Sequence, residues 1–282
     1  MAKKKKYNWN LNEELPDIDD HSLVKLDIIE NYIEIYLKFL TKSARCRSLK
    51  LTIIDGFSGG GLYKNNITGS PIRIKKAIDN AKSIISFEKE RTNCPPIDFN
   101  IDFRFIEKNK LAHQHLKTVL GDYGYLCNHT ECILGEFSEN LNSLLFNIQN
   151  KSRSQRAIFI LDQYGYSDAP LRDVNKIFRT LKNAECILTF SMDSLIAFIS
   201  EKNANVLTNL GLSKEDCEQI LDVRKDTDFS RSKIQPLLYK SIVDASGAKY
   251  YTPFFIKSDK SNQAYWLFHF SSHPTARDEM IK

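Results

Sequence analysis

No run of apolar residues in this chain approaches the roughly 20 that a membrane-spanning helix requires. No apolar signal segment follows the lysines at the N-terminus, because Tyr7–Asp20 is polar and acidic, so a cytoplasmic protein is expected. The six cysteines contain no C-x-x-C pair. Cys127-Asn-His129-Thr-Glu-Cys132 has the look of a metal half-site without a second half, and reduced, mostly buried thiols without a metal are expected instead. Charge of either sign is not in large excess: 40 Lys and Arg against 35 Asp and Glu give a net charge of +5, which permits nucleic-acid binding without arguing for it. The basic run Lys3–Lys6 reads as a solvated tail, with a phosphate-seeking arm as the alternative. There is no internal repeat. What remains is 282 residues at 42% hydrophobic content, enough to fill a sizeable core.

The apolar pattern divides this chain into alternating elements. Residues 1–20 read as a loose leader. His21–Leu40 carries Leu23, Leu26, Ile29, Ile33, Tyr36, Leu37 and Leu40 at helical spacing. Strands are expected at Leu49–Ile54, Phe99–Ile106, Thr130–Leu134, Ala157–Leu161 and Ala184–Ser191. Helices are expected at Ile72–Ile85, with Ser70 as N-cap and Pro71 as first helical residue, and at Asn109–Leu120, Ser138–Ile148 and Leu171–Leu181. Continuous apolar strands alternating with helices about every 30 residues mark a mostly parallel sheet covered on both faces, an α/β Rossmann-like fold.

This core spans 21–199. Residues 200–245 read as a helical insertion, and 246–282 as terminal strands, Tyr250–Lys257 and Ala264–Ser271, forming an antiparallel hairpin through the turn-forming Ser258–Asn262. Met280 and Ile281 show no evident core to enter, so the natural chain is expected to continue. His269 reads as a packed edge-strand residue and His273 as a turn residue before Pro274.

The most informative segment is Leu51-Thr-Ile-Ile-Asp55-Gly-Phe57-Ser58-Gly59-Gly60-Gly61. A buried strand ends in a carboxylate and a glycine turn, where bare backbone lets a ligand approach and the next helix offers free N–H groups. The dinucleotide fingerprint is absent, since Tyr63 and Lys64 stand where a third glycine is needed. No Gly-Lys-Ser/Thr follows, so this is not a P-loop. An acid directly before the turn suits a cationic ligand such as the sulfonium and amino groups of S-adenosylmethionine; a purely structural turn is the alternative. Glu107 ends the next strand, where an acid commonly accepts both ribose hydroxyls. Glu136, after the third strand, could meet the adenine amine or lie in an ordinary turn. Asp162-Gln163-Tyr164-Gly165-Tyr166 follows the fourth strand. There Asp162 would orient an acceptor amine and Tyr164 would stack on a base, with Tyr166 as a second stacking candidate. Gln163 stands where amino methyltransferases carry proline and is expected to leave the loop unstiffened. No Pro-Cys loop argues for cytosine C5 chemistry, and no D…E-x-K spacing supports a nuclease.

Several short landmarks occur in a fixed order: His21-Ser-Leu-Val-Lys25, Asp55–Gly61, Gly69-Ser70-Pro71, Phe105-Ile-Glu107, Asp162-x-Tyr-Gly165, and Tyr265-Trp-Leu-Phe followed by Ser272-His273-Pro274. In these the sequence resembles the three-Cys-motif partner protein family from His21 to the end, with Gln163 departing from the usual proline. The resemblance implies a Rossmann-like class I methyltransferase fold of bacteria and phages. It also implies an S-adenosylmethionine site at Asp55, Phe57, Ser58, Gly59, Gly60, Gly61, Ser70, Glu107 and Glu136, a chemistry loop at Asp162, Tyr164 and Gly165, and a partner protein with a three-cysteine motif. Some members carry a winged helix before the last strands. Residues 200–245 could be that segment, with Lys225, Arg231, Lys233 and Lys240 meeting phosphates; a solvated helical insertion is the alternative. Methyl transfer to an amino group of nucleic acid is the leading expectation. A catalytically inactive adaptor of the same fold, working with a partner in a phage or defence setting, is the other.

Overall fold

Successive residues on a strand point to opposite faces of a sheet, and here both faces are apolar and find helices to bury against. The computed structural model describes residues 7–9, 13–163, 168–199, 205–225, 231–257 and 264–282. Its elements run α1 (Asp20–Thr41), β1 (Ser48–Asp55), α2 (Ser70–Arg91), β2 (Asp98–Glu107), α3 (Lys110–Asp122), β3 (Thr130–Leu134), α4 (Phe137–Lys151), β4 (Arg156–Leu161), α5 (Leu171–Thr180), β5 (Ala184–Ser191), α6 (Met192–Phe198), α7 (Asn205–Leu210), α8 (Lys214–Lys225), α9 (Arg231–Ser246), β6 (Tyr250–Lys257), β7 (Ala264–Ser271) and α10 (Pro274–Met280). The sheet has seven strands in the order β3-β2-β1-β4-β5-β7-β6. The first five are parallel, and β7 runs antiparallel to both β5 and β6. This is an open, mostly parallel Rossmann-like arrangement with a terminal antiparallel hairpin, the strand order reversing between β1 and β4.

On one face Leu51, Ile53, Ile158 and Ile160 pack beneath α1, α2 and α3. On the other, Phe159, Leu161, Phe268 and Phe270 pack beneath α4, α5 and the helices of the insertion. Leu210, Ile220, Ile234 and Leu238 of the insertion are buried in that same cluster, so these helices complete the layer over the sheet. Between Asn205 and Ser246 the described residues contain no strand that could serve as a wing. Helix α6 was not foreseen.

Four expectations are corrected. Ser70 is the first residue of α2 rather than its N-cap, which is Gly69. Met280 does find a core, packing with the α1 face at 6% exposure, while Ile281 stays in solvent. The thiols are less buried than expected: Cys186 and Cys217 are, Cys127 is exposed, and the others are intermediate. His269 lies on β7, one strand in from the β6 edge, and is fully buried. The hairpin turn Ser258–Asn262 and the Lys3–Lys6 run fall outside the described residues. Among the described residues no helix is long and apolar enough to cross a membrane.

Beneath α1 the core holds a polar cluster. His269 Nε2 lies 2.9 Å from Glu185 Oε2, and the Tyr32 hydroxyl donates to the same oxygen. Burial pushes the Glu185 carboxyl upward and His269 pulls it back. Removing one member of such a pair strands the other in an apolar core. His269→Ala is therefore expected to cost about 3–5 kcal/mol in urea denaturation, whereas the double change Glu185→Leu, His269→Phe recovers most of it. Equal losses in both variants would show that the pair is not what the site requires.

Candidate cofactor and acceptor site

The parallel register sets the strand tips at different heights. Asp55 lies opposite Phe105, so Glu107 projects two residues beyond it and can reach back over the glycine turn.

Asp55 is 1% exposed. Its Oδ1 accepts from the Phe57 N–H at 3.1 Å and its Oδ2 from the Ser70 hydroxyl at 2.6 Å, so it fastens the turn to the start of α2. Burial pushes its carboxyl up to about 7. The Ser70 and Phe57 hydrogen bonds oppose the shift, and the nearby carboxylates of Asp162 and Glu107 add to it. Ser58 clamps the turn between strands, donating its N–H to Ile106 and its hydroxyl to the Asp55 carbonyl. Phe57 packs on Phe137.

Gly59 has φ +60°, where a side chain would be strained. Gly60 is bare for a different reason: a Cβ there would lie 2.4 Å from the Trp9 indole. Its carbonyl accepts from His115 Nδ1 at 2.6 Å. The openness read as room for a ligand is thus used at Gly60 by the chain's own N-terminal segment, and at Gly61 by Leu116. The leader is accordingly not loose throughout. Trp9 is 8% exposed and donates Nε1–H to the Leu62 carbonyl at 2.7 Å.

Glu107 completes the nest. Its Oε2 accepts from the Gly59 N–H at 2.9 Å and its Oε1 from the Asn109 N–H at 2.7 Å. Asn109 is itself held as the N-cap of α3. Each carboxylate oxygen keeps a second lone pair, so a half-buried, backbone-anchored pair of acceptors remains beside the glycine turn. That pair of acceptors matches the two hydroxyl donors of a vicinal diol. Glu136 stands apart, 60% exposed, with its nearest charge Lys108 at 3.9 Å. Among the described residues no side-chain hydrogen bond or ion pair joins it to the other cofactor candidates.

At the β4 tip, both oxygens of Asp162 accept from Lys25 Nζ, at 2.6 and 2.9 Å. Lys25 is 6% exposed in its side chain and lies over the Tyr265 ring, on which His21 stacks at 4.2 Å. Gln163 is buried at 4% exposure; it accepts from the Ala169 N–H and donates to the Thr189 carbonyl, tying the β4 tip to β5 and to the approach to α5. Tyr164, Gly165 and Tyr166 lie outside the described residues. Among the described residues no three His, Cys, Asp or Glu side chains stand close enough to hold a metal.

Sequence reasoning missed Lys25, Tyr265, Tyr63, Tyr7 and Trp9. His21 and Lys25, polar residues four apart on the otherwise mostly apolar face of α1, were the available signal for the first two. Of the basic candidates, Lys225, Lys233 and Lys240 are exposed on α8 and α9; the Arg231 side chain lies outside the described ones.

No family model and no curated protein sequence matches the chain. Solved structures resemble it at low identity. The bifunctional kinase-methyltransferase WbdD aligns over 89% of this chain at 8% identity and TM-score 0.45; the chain spans 39% of that protein's length. The M. jannaschii TYW2 structure in complex with AdoMet aligns over 90% of this chain and 76% of its own, at 11% identity and TM-score 0.41. A putative rRNA-methylase from Clostridium thermocellum covers 91% of this chain and 98% of its own, at 8% identity and TM-score 0.44.

Proposed function

We propose that this protein binds S-adenosylmethionine and transfers its methyl group to an amino group of a nucleic-acid base. The observation that carries the reading is Glu107, a carboxylate anchored by two backbone amides beside the Gly59–Gly61 turn with one lone pair free on each oxygen. Bound there, the cofactor would supply a methyl group already activated on a sulfonium. Glu107 would accept the ribose hydroxyls. Asp55, Phe57, Ser58, Gly59, Gly60, Gly61 and Ser70 would hold the shape of the turn, Asp55 would supply negative charge as a bound cation draws off its proton, and Glu136 is the candidate for the adenine amine.

With the leaving group already good, positioning supplies most of the rate. Lys25 holds Asp162 in one orientation, and at 30% exposure that carboxylate can still accept an N–H from an acceptor. Tyr164 and Gly165 would shape the base pocket. Lys225, Arg231, Lys233 and Lys240 would meet phosphates; Lys233 and Lys240, seven apart on α9, share a helix face. Asp162→Ala is expected to lower methyl transfer to mixed DNA and RNA by about 100-fold while leaving S-adenosylhomocysteine affinity within about threefold, read by radiolabel transfer and calorimetry. Parallel loss of both would assign Asp162 to the cofactor instead.

A second reading is favoured by one observation: both Asp162 oxygens are already engaged by Lys25, as in a structural ion pair. On that reading the protein is a methyltransferase-fold adaptor acting with a three-cysteine-motif partner. Tight cofactor binding with no transfer to any nucleic acid, with or without the partner, would decide for it.

A further inference from the structure

The N-terminal segment does more than pass the glycine turn. Trp9 lies flat against Gly59 and Gly60, where added Cβ atoms would meet its ring at 3.0 and 2.4 Å. Its ring packs edge-on to Tyr63 at 5.6 Å and beside Tyr7 at 6.1 Å, and Tyr7 meets Tyr63 edge-on at 5.8 Å. Three rings therefore form one aromatic group. Two bonds tie the rings down, Trp9 Nε1 to the Leu62 carbonyl and the Tyr7 hydroxyl to Asp19 at 3.0 Å, and two more fasten the leader beside them, the Lys64 N–H to the Pro16 carbonyl at 3.0 Å and Lys64 Nζ to Glu14 at 2.9 Å. The group borders the turn that the acids hold: Trp9 packs on Gly59, whose N–H Glu107 accepts, and the Tyr63 ring comes within 3.3 Å of where a Cβ would stand at Gly69, next to the Ser70 that bonds Asp55.

Aromatic rings and carboxylates bordering the same glycine turn make an environment that favours a poorly hydrated cation. The rings contribute their negative faces, and the acids contribute net charge. We propose that Tyr7, Trp9 and Tyr63 form the outer wall of the cofactor pocket, a wall supplied largely by the N-terminal segment, that selects the sulfonium form of the ligand. This rests on the cofactor reading above and adds residues that no motif in the sequence marks.

Trp9 and Trp266 are the two tryptophans of the chain, so a Trp266→Phe background leaves Trp9 as the sole indole reporter. In that full-length protein, titration with S-adenosylmethionine is expected to change Trp9 emission with a midpoint equal to the calorimetric Kd. In the otherwise unmodified chain, Trp9→Ala is expected to weaken S-adenosylmethionine binding at least tenfold and S-adenosylhomocysteine binding less. Trp9→Phe keeps a ring and is expected to lose under threefold, which covers the case in which the alanine variant folds poorly. Unchanged affinity in Trp9→Ala with silent Trp9 emission overturns the wall, and so does tighter binding, which would make the indole a competitor. No binding of either ligand to the unmodified chain overturns the cofactor reading itself, a result distinct from both.

Discussion

Replacing Asp55 with asparagine is expected to abolish the fall in stability that this carboxyl should contribute as pH rises from about 4 to about 7. Burial holds this carboxyl at about 7 in the folded chain against 3.8 for the free group. The folded state therefore binds the proton more tightly than the unfolded state. Stability from this group is full below pH 3.8, is lost progressively as pH rises toward 7, and is level above it. A shift of about three units corresponds to about 4 kcal/mol across that window. Asparagine can accept the Phe57 N–H and donate to the Ser70 oxygen without ionising. Urea denaturation of both proteins between pH 4.5 and 8 isolates the difference, because the other carboxylates titrate alike in the two. Identical slopes would mean that Asp55 ionises in the folded state at no cost.

The same residue links pH to ligand charge. A cation in the nest stabilises the ionised carboxylate, so S-adenosylmethionine is expected to bind more tightly at pH 8 than at pH 6, with proton release below neutrality. S-adenosylhomocysteine, without the sulfonium charge, should show a smaller dependence, and Asp55→Asn should show little for either.

Glu107→Ala is expected to weaken both ligands alike, by about 100-fold, because the diol they share loses its acceptors. Two hydrogen bonds to a charged group account for about 3 kcal/mol. Gly59 and Asn109 also lose their amide partner, so a modest fall in melting temperature should accompany it. Glu107→Gln keeps one acceptor oxygen but turns an amide NH₂ toward a backbone N–H, and its affinity should fall between the two. Calorimetry at fixed pH measures all three. Undiminished affinity in Glu107→Ala would remove the ribose assignment and with it the main support for the nucleoside.

Much of the fold was legible because its elements carry strong periodic signals. Ala184–Ser191, Tyr250–Lys257 and Ala264–Ser271 were read with the bounds they have, since each is a short β-rich run flanked by breakers. The insertion of β7 between β5 and β6 was not legible, because an apolar strand pairs with any neighbour whose face is equally apolar. Ser70 shows the limit of local rules. A serine before proline at a helix start satisfies every capping preference, yet its hydroxyl goes 2.6 Å away to Asp55, fifteen positions earlier. The partners of Gln163 were hidden for the same reason: Ala169 and Thr189 come from a later loop and another strand.

Residue order alone determined that strands alternate with helices, that acids stand at the ends of β1, β2 and β4, and that glycines follow the first of them. These are properties of neighbours along the chain, fixed by spacing and side-chain type. Only the tertiary structure decided what each acid does: Asp55 buried and proton-retaining, Glu107 anchored with acceptors to spare, Asp162 held by Lys25 from 137 positions away. Burial and partnership depend on which distant segments the parallel register and the N-terminal segment bring within about 3 Å, the range over which hydrogen bonds act.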